Sequence, residues 1–316
     1  MVKTLYYLLK TARPRQWLKN GAVYAALLFS GFFFHSFPSY ILTVSQTFIV
    51  FCFLSSSVYI INDLVDRESD RQHPFKRKRP IASGELPVAV AQIAAVLGIV
   101  GSLVGGWFLS PFLCALLVLY LTLQLAYSFS LKHVAILDVL SIAAGFILRV
   151  YAGAVVVNLH MSVWFLLTVI SASLFLAVGK RQSERTLMSG LKAEQKGFST
   201  RKTLEKYSTR LLDIYTSMFA NATWLTYALF AFQREDIITD GPLPTLLAFV
   251  PRAFTAQKWL MLTVPIVIYG VMRYLQLVYE NNQGESPERV LLKDKPLLTA
   301  AIIWVLMVFA IIYFIG

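Results

Sequence analysis

The chain has 316 residues, of which 57% are hydrophobic and only 15% are charged, and its formal net charge at pH 7 is +12. A soluble domain is nearer about 45–50% apolar and about 25% charged, so the composition excludes a soluble globular protein and indicates an integral membrane protein. Basic excess in such a protein reflects loops facing anionic lipid, and secondarily an anionic substrate. No basic soluble domain is present, so nucleic acid is not expected as a partner.

The N-terminal residues 1–18 are predicted to form an interfacial helix. Leu5, Leu8 and Leu9 fall on one helix face, and five basic residues between Lys3 and Lys19 face water. No cleavable signal peptide is expected, because the first apolar run is short and no small-residue cleavage site follows it. This segment therefore leads directly into the membrane region.

Nine apolar segments are long enough to cross a bilayer, which takes about 20 residues at 1.5 Å each. No linker or soluble domain interrupts them, so the sequence predicts one all-α membrane domain over residues 1–316. The segments lie at about 19–35, 40–62, 87–108, 111–130, 135–157, 160–180, 212–233, 257–279 and 296–315.

Most of the 29 Lys and Arg residues lie on one side of this predicted bundle. The positive-inside rule and an odd number of spans place the N-terminus in the cytoplasm and the C-terminus outside. The segment 180–211 is then cytoplasmic, with a surface helix over its last part, and the longest outer loop is 233–257. The expected location is the plasma or inner membrane.

Four oxygen-bearing side chains follow the second predicted span at helical spacing. They are Asn62, Asp63, Asp66 and Asp70. A helix that turns by about 100° per residue places all four on one face. Oxygen ligands suit Mg²⁺, which keeps several waters and also binds substrate phosphates, and Lys78 and Arg79 could hold further phosphate oxygens. The pattern predicts a magnesium–diphosphate site at the membrane surface; the alternative is a solvated charged loop.

Ionisable residues also occur in and beside two later spans. Asp138 lies one to two turns inside the fifth span, where a carboxylate usually faces a polar cavity, and Arg149 lies deeper. They could pair with each other or bind substrate, and their spacing of three turns favours separate partners. Lys180 and Glu184, at the end of the sixth span, share one helix face, which either supports the helix or forms part of a site.

The first of these motifs resembles a known signature. Asn62-Asp63-x-x-Asp66-x-x-x-Asp70, followed by Arg79-Pro80-Ile81-Ala82-Ser83-Gly84, is similar to that of the UbiA superfamily of intramembrane transferases. The resemblance implies a nine-helix bundle with a central cavity, open to the cytoplasm, between polar motifs that follow helices two and six. The second motif is usually rich in aspartate, whereas this chain has Lys180-Arg181-Gln182-Ser183-Glu184 there.

Four further segments resemble the decaprenyl-phosphate phosphoribosyltransferase branch of that superfamily. This resemblance implies Mg²⁺-dependent transfer of 5-phosphoribose from phosphoribosyl pyrophosphate to a polyprenyl phosphate. Diphosphate is released, and the product is a precursor of lipid-linked arabinose. The segments are Arg13-Pro14-Arg15-Gln16-Trp17-Leu18-Lys19-Asn20, Tyr127-Ser128-x-x-Leu131-Lys132, Gly145-Phe146-x-x-Arg149-x-x-Ala152-Gly153-Ala154 and Ser286-Pro287-Glu288-x-Val290-Leu291-Leu292.

The resemblance also implies roles for individual residues. The four residues of the first motif hold Mg²⁺, and Asp63, Asp66, Lys180 and Glu184 are the expected catalytic residues. The acceptor phosphate is already an anionic nucleophile, so no strong general base is required. The expected substrate-binding residues are Lys19, Lys78, Arg79, Tyr127, Lys132, Asp138, Arg149, Lys180 and Arg181.

Two other functions remain open from the sequence. A prenyltransferase of the same fold would share the first motif but needs acidic residues where Lys180 to Glu184 stand. A transporter would predict inverted repeats with broken helices at the midplane, and the sequence shows no convincing repeat. The sequence does not determine the oligomeric state, so both a monomer and a homo-oligomer stay open.

Overall fold

The computed structural model describes residues 2–34, 38–72, 76–194, 207–233, 258–280 and 287–315. Across these ranges the regular secondary structure is entirely helical, which confirms the predicted all-α class. The α-helices are α1 (Val2–Ala12), α2 (Ala25–Ser30), α3 (Ser39–Val65), α4 (Arg67–Gln72), α5 (Val88–Leu109), α6 (Pro111–Phe129), α7 (Leu137–Val156), α8 (Val163–Glu194), α9 (Thr209–Gln233), α10 (Val264–Tyr279), α11 (Pro287–Lys293) and α12 (Lys295–Ala310).

Seven helices in the described ranges are long and apolar enough to cross a membrane, compared with nine predicted spans. The predicted span 212–233 corresponds to α9, whose Thr, Ser and Asn side chains make it less apolar than the seven. The predicted span 19–35 is not one α-helix. It consists of a 3-10 helix, Pro14–Tyr24, followed by the six-residue α2. The outer loop predicted at 233–257 lies almost wholly outside the described residues.

The chain divides into two compact units, which are described one at a time. Unit 1 comprises residues 1–27, 32–132 and 145–159. Its long helix α3 packs along α5 and also contacts α1, α6 and the 3-10 helix Pro14–Tyr24. The core includes Phe51 and Leu54 of α3, Leu117 and Tyr120 of α6, and Ala152 of α7.

The N-terminal helix is shorter than predicted. It ends at Ala12 because Arg13 adopts a left-handed conformation, with φ of 53°, and Pro14 then opens the 3-10 helix. A 3-10 helix rises about 2.0 Å per residue, so its 11 residues span about 22 Å, compared with about 17 Å for an α-helix. The interfacial helix predicted over 1–18 is therefore two elements with a sharp turn between them.

Small serine side chains of α3 hold this 3-10 helix in place. Trp17 Nε1 donates to Ser56 Oγ at 2.9 Å, and Ser56 Oγ donates to the Ala12 carbonyl at 3.1 Å. One turn further along, Asn20 Nδ2 donates to Ser55 Oγ at 3.1 Å. Because serine is small, the two backbones approach closely enough for these bonds to form, and such packing is typical of membrane helices.

Among the glycines that the structure describes in unit 1, Gly153 of α7 lies closest to the backbone of another segment, at Val23. A Cβ atom there would lie 2.8 Å from the Val23 carbonyl carbon and 3.2 Å from Val23 Cα. Because these are backbone atoms, Gly153→Ala should destabilise the protein by about 1–3 kcal/mol. Thermal unfolding in detergent measures the loss. Gly101→Ala in α5 is the control, since its Cβ meets nothing within 4 Å; equal melting temperatures for the two variants would contradict the prediction.

Unit 2 comprises residues 28–31, 133–144 and 160–316. Helices α8 and α9 pack along each other, and α10 packs against both α9 and α12. Helix α8 has 32 residues, or about 48 Å, so it is longer than the hydrocarbon core of a bilayer. The surface helix predicted near 199–211 lies mostly outside the described residues, which resume at Tyr207 and enter α9 at Thr209.

Asp294 begins α12 as its N-cap. Its carboxylate accepts from the backbone N–H of Leu297 at 2.9 Å and forms two hydrogen bonds with the Arg273 guanidinium, at 3.1 and 2.7 Å. The guanidinium lowers the pKa of Asp294, and the Leu297 N–H contributes in the same direction. This cap fixes the start of the last predicted span.

Candidate active site

The predicted acidic motif lies at the end of α3 in unit 1. The helical pattern continues through Asp66, because its N–H donates to the Asn62 carbonyl at 2.9 Å and the Asp70 N–H donates to the Asp66 carbonyl at 2.8 Å. Asp63 and Asp70 are both buried, with 2% of each residue exposed. The motif therefore runs from the last turn of α3 through a turn residue, Asp66, into α4, and two of its carboxylates are buried.

A single guanidinium bridges the two buried carboxylates. Arg79 NH1 lies 3.1 Å from Asp63 Oδ1 and 2.6 Å from Asp70 Oδ2. Asp63 and Asp70 therefore both direct a carboxylate oxygen towards the Arg79 guanidinium. The neighbouring Lys78 is exposed, so of the two adjacent cations that were predicted to bind phosphate, it is Arg79 that contacts the acidic motif.

Arg13, which was not predicted as a site residue, also contacts Asp63. Its NH2 lies 2.5 Å from Asp63 Oδ1, and its guanidinium stacks 5.1 Å from the centroid of the Tyr59 ring. The available signal was an Arg-Pro pair at the end of an amphipathic helix, since a residue before proline is forced out of the helical region. The left-handed turn at Arg13 directs its side chain onto α3.

Lys132 completes the cluster. Its ammonium lies 3.1 Å from Asp66 Oδ1, and its side chain is 10% exposed, in the 3-10 turn Leu131–His133. Three carboxylates therefore face three basic side chains. We call this set the aspartate cluster; its members are Asp63, Asp66, Asp70, Arg13, Arg79 and Lys132.

The donor chemistry of the aspartate cluster suits Mg²⁺, which prefers carboxylate and amide oxygens. Asn62 is half-buried beside it. Within the described residues, however, no three His, Cys, Asp or Glu side chains form a ready-made metal site. In this arrangement the Arg79 guanidinium lies between Asp63 and Asp70, and Lys132 contacts Asp66. A metal would have to replace these basic partners.

A second cluster in unit 2 contains the basic motif at the end of the predicted sixth span. Arg181 is completely buried. Its Nε lies 2.8 Å from Asp138 Oδ2, and its NH1 hydrogen-bonds to Glu184. Lys180, whose side chain is 31% exposed, lies 3.9 Å from Glu184. We call these four residues the Arg181 cluster.

Tyr207 is attached to the Arg181 cluster. Its hydroxyl donates to Asp138 Oδ1 at 2.7 Å and accepts from the backbone N–H of Ile136 at 2.6 Å. Burial raises the pKa of Tyr207 well above its usual value, and the bond to Asp138 raises it further. The phenol therefore stays protonated and acts as a fixed donor.

Arg149 is buried in unit 1 and is bound by neutral acceptors. Nε donates to Asn20 Oδ1 at 2.8 Å, NH1 to the Gly145 carbonyl at 2.6 Å, and NH2 to Tyr120 Oη at 2.7 Å. Asp138 and Arg149 thus each have partners of their own, as their spacing predicted.

Lys19 and Tyr127 are half-buried in unit 1, and their substrate roles stay predictions.

A family match identifies the class of protein. The UbiA prenyltransferase family matches residues 21–293, and the chain belongs to this family, as the first motif indicated. The fold agrees: the structure of a UbiA homolog from Archaeoglobus fulgidus bound to GPP and Mg²⁺ has a TM-score of 0.69, with 17% identity, over 97% of this chain and 99% of that one.

Curated relatives define the branch more narrowly. The chain is 39% identical over 310 residues to a decaprenyl-phosphate phosphoribosyltransferase of Mycolicibacterium smegmatis, covering 97% of this chain and 92% of the relative. It is 35% identical to the protein of the same name from Corynebacterium glutamicum, covering 97% and 86%. These similarities confirm the branch that the further motifs indicated.

Proposed function

We propose that the chain transfers 5-phosphoribose from phosphoribosyl pyrophosphate to the phosphate of a polyprenyl lipid, with Mg²⁺ as cofactor and diphosphate as leaving group. The observation that carries this proposal is the 39% identity, across nearly the whole of both chains, to a relative named for that activity. The basic character of the Arg181 cluster supports it, because a donor that carries a 5-phosphate brings a third phosphate group to be bound.

The aspartate cluster suits the diphosphate half of the donor. Asn62, Asp63, Asp66 and Asp70 would hold Mg²⁺, which when bound offsets the charge of the diphosphate. Arg13, Arg79 and Lys132 already lie against these carboxylates and would turn to the phosphate oxygens. Carboxylates then face the metal and guanidinia face the phosphates, which are the pairings that each group prefers.

The Arg181 cluster suits the phosphoribose half. Lys180 would bind the 5-phosphate and Glu184 the ribose hydroxyls, because these two side chains retain exposed surface. Asp138 and Arg181 were predicted to contact substrate. Their side chains are only 1% and 0% exposed, which favours a role in positioning Glu184 instead. Burial likewise favours a structural role for Arg149.

The chemical step needs no strong base. An oxygen of the acceptor phosphate attacks C1 of the ribose as the bond from C1 to the diphosphate oxygen breaks. The acceptor is already an anion and the diphosphate leaves with the electron pair of that bond. Attack from the opposite face inverts the anomeric centre. The protein contributes orientation and charge stabilisation, which account for most catalysis of this kind.

The site is proposed to face the cytoplasm. Arg13, Asp63, Arg79 and Lys132 meet in unit 1, which supports placing the N-terminal segment and the first two basic loops on one side of the membrane. The positive-inside rule makes that side cytoplasmic. The resulting location is a cell membrane, with the donor reached from the cytosol.

A transfer assay tests the proposal. Purified protein in lipid nanodiscs is given labelled phosphoribosyl pyrophosphate, Mg²⁺ and a polyprenyl phosphate, and label is measured in the organic phase. We expect Mg²⁺-dependent transfer that EDTA abolishes. Absence of label, with transfer of a prenyl group from prenyl diphosphate to an aromatic or lipid acceptor instead, would replace the proposal by the prenyltransferase alternative.

A further inference from the structure

Ile136 has a strained backbone. Its φ is 72°, in the left-handed region, which a β-branched residue rarely adopts. It directly precedes α7 and follows Lys132 by four residues in the chain. Such strain persists only where the surrounding structure enforces it, and it is concentrated at functional sites. A specific contact must therefore hold Ile136 in this conformation.

Tyr207 supplies that contact. Its hydroxyl accepts the Ile136 N–H at 2.6 Å, so the strained residue is fixed through its own backbone. The Tyr207 ring is 1% exposed and packs in an apolar core with Val139, Val178 and Leu212. A ring held on several sides cannot follow the backbone if it moves, so Tyr207 is a rigid anchor for the turn.

The same hydroxyl also orients Asp138. It donates to Asp138 Oδ1 at 2.7 Å, and the Val139 N–H donates to that oxygen at 2.9 Å. The other oxygen, Oδ2, is thereby left for Arg181 Nε at 2.8 Å. Arg181 in turn hydrogen-bonds Glu184. The hydroxyl of Tyr207 thus begins a continuous series of contacts that ends at the partly exposed Glu184 and Lys180.

We infer that Tyr207 is a positioning residue: it holds the left-handed turn at Ile136 and fixes Asp138 and Arg181 so that Glu184 and Lys180 meet the phosphoribose half of the donor. The identity of that ligand rests on the proposed function. Tyr207 itself is too deeply buried to touch the substrate. Its elevated pKa supports the assignment, since a protonated phenol is required to donate to Asp138.

Tyr207→Phe tests the inference, because it removes the hydroxyl and keeps the ring. We expect the Kd of ribose 5-phosphate and the KM of phosphoribosyl pyrophosphate to rise about tenfold, as expected for a misplaced polar contact. The KM of polyprenyl phosphate should not change. The Kd is measured by equilibrium dialysis without acceptor or Mg²⁺, so it is independent of the transfer reaction.

Relief of the strain provides a rescue. Glycine adopts a φ of 72° without steric cost, so Ile136→Gly should hold the turn without help from the hydroxyl. The double variant Ile136→Gly/Tyr207→Phe is expected to bind ribose 5-phosphate more tightly than Tyr207→Phe alone. A hydroxyl that only contributed stability would give no such recovery of binding.

Tyr227→Phe is the matched control. Tyr227 is also buried in unit 2, and its hydroxyl lies 2.6 Å from Thr263 Oγ1. We expect a similar loss of thermal stability and unchanged ribose 5-phosphate binding. Unchanged binding in Tyr207→Phe, equal weakening in both Tyr variants, or no ribose 5-phosphate binding by the unaltered protein would each overturn the inference. Altered binding without any transfer by the unaltered protein would overturn only the proposed reaction.

Discussion

Replacing Asp66 by asparagine is expected to reduce phosphoribosyl transfer at least about 1,000-fold, corresponding to about 4 kcal/mol of transition-state stabilisation. The amide keeps the size of the side chain but removes the negative charge that a Mg²⁺ ligand supplies. Asp66 is the most accessible carboxylate of the aspartate cluster, at 28% exposure. The fold should therefore survive, and initial rates at saturating donor and acceptor measure the effect.

Glu68→Gln is the control for this prediction. Glu68 lies two residues further along the chain, is 75% exposed, and pairs at the surface with Arg71 at 3.2 Å and Arg67 at 4.0 Å. Its loss should leave both rate and melting temperature unchanged. Titrating Mg²⁺ adds a second measurement, since Asp66→Asn should need more metal for half-maximal rate. Activity of Asp66→Asn within tenfold of the unaltered protein would remove Asp66 from the proposed metal ligands.

Replacing Arg79 by methionine should damage both stability and activity. Methionine has similar length but leaves Asp63 and Asp70 without the guanidinium they share. Removing one partner from buried ion pairs costs about 3–5 kcal/mol, and Arg13 can compensate only at Asp63. We therefore expect a lower melting temperature and, in the folded fraction, a higher KM for phosphoribosyl pyrophosphate because a phosphate ligand is lost.

Arg77→Met separates this specific effect from a general loss of positive charge. Arg77 lies two residues away in the same basic run and is exposed. It carries the same charge towards lipid or solvent, so its replacement should have little effect on melting or donor KM. Equal changes in melting temperature and donor KM in both variants would contradict a specific role for the Arg79 bridge.

Helical spacing predicted that all four residues of the acidic motif share one face. In the structure Asp63 and Asp70 both contact Arg79, although α3 ends at Val65 between them. The partners of these carboxylates were harder to predict. Arg13 and Lys132 lie 50 and 66 residues away from Asp63 and Asp66, and no single-sequence periodicity reports contacts over such distances.

The basic motif shows a different limit of sequence reasoning. Lys180 and Arg181 are adjacent, and the sequence alone does not distinguish these two cations at the end of a span. Consecutive helical residues point about 100° apart, and in the structure Lys180 keeps exposed surface whereas Arg181 is completely buried between Asp138 and Glu184. The sequence predicted the charge, but only packing decides which of two neighbouring cations can reach a ligand.

The 3-10 helix at Pro14–Tyr24 could not be predicted for a similar reason. Its apolar residues suit an α-helical span as well as a tighter helix. The choice depends on Ser55 and Ser56 of α3, which hydrogen-bond Asn20 and Trp17. These contacts exist only in the folded protein, so tertiary packing here overrides the local pattern.

The hydrogen bonds of Arg149 carry a consequence for how the protein is made. Inserting a helix with a central arginine into lipid is unfavourable by about 2.5–3.5 kcal/mol on scales measured by translocon insertion. Both side chains that accept hydrogen bonds from Arg149, Asn20 and Tyr120, precede it in the chain. As α7 emerges from the ribosome, the acceptors for its charge are already synthesised, so the order of the sequence is also a workable order of membrane assembly.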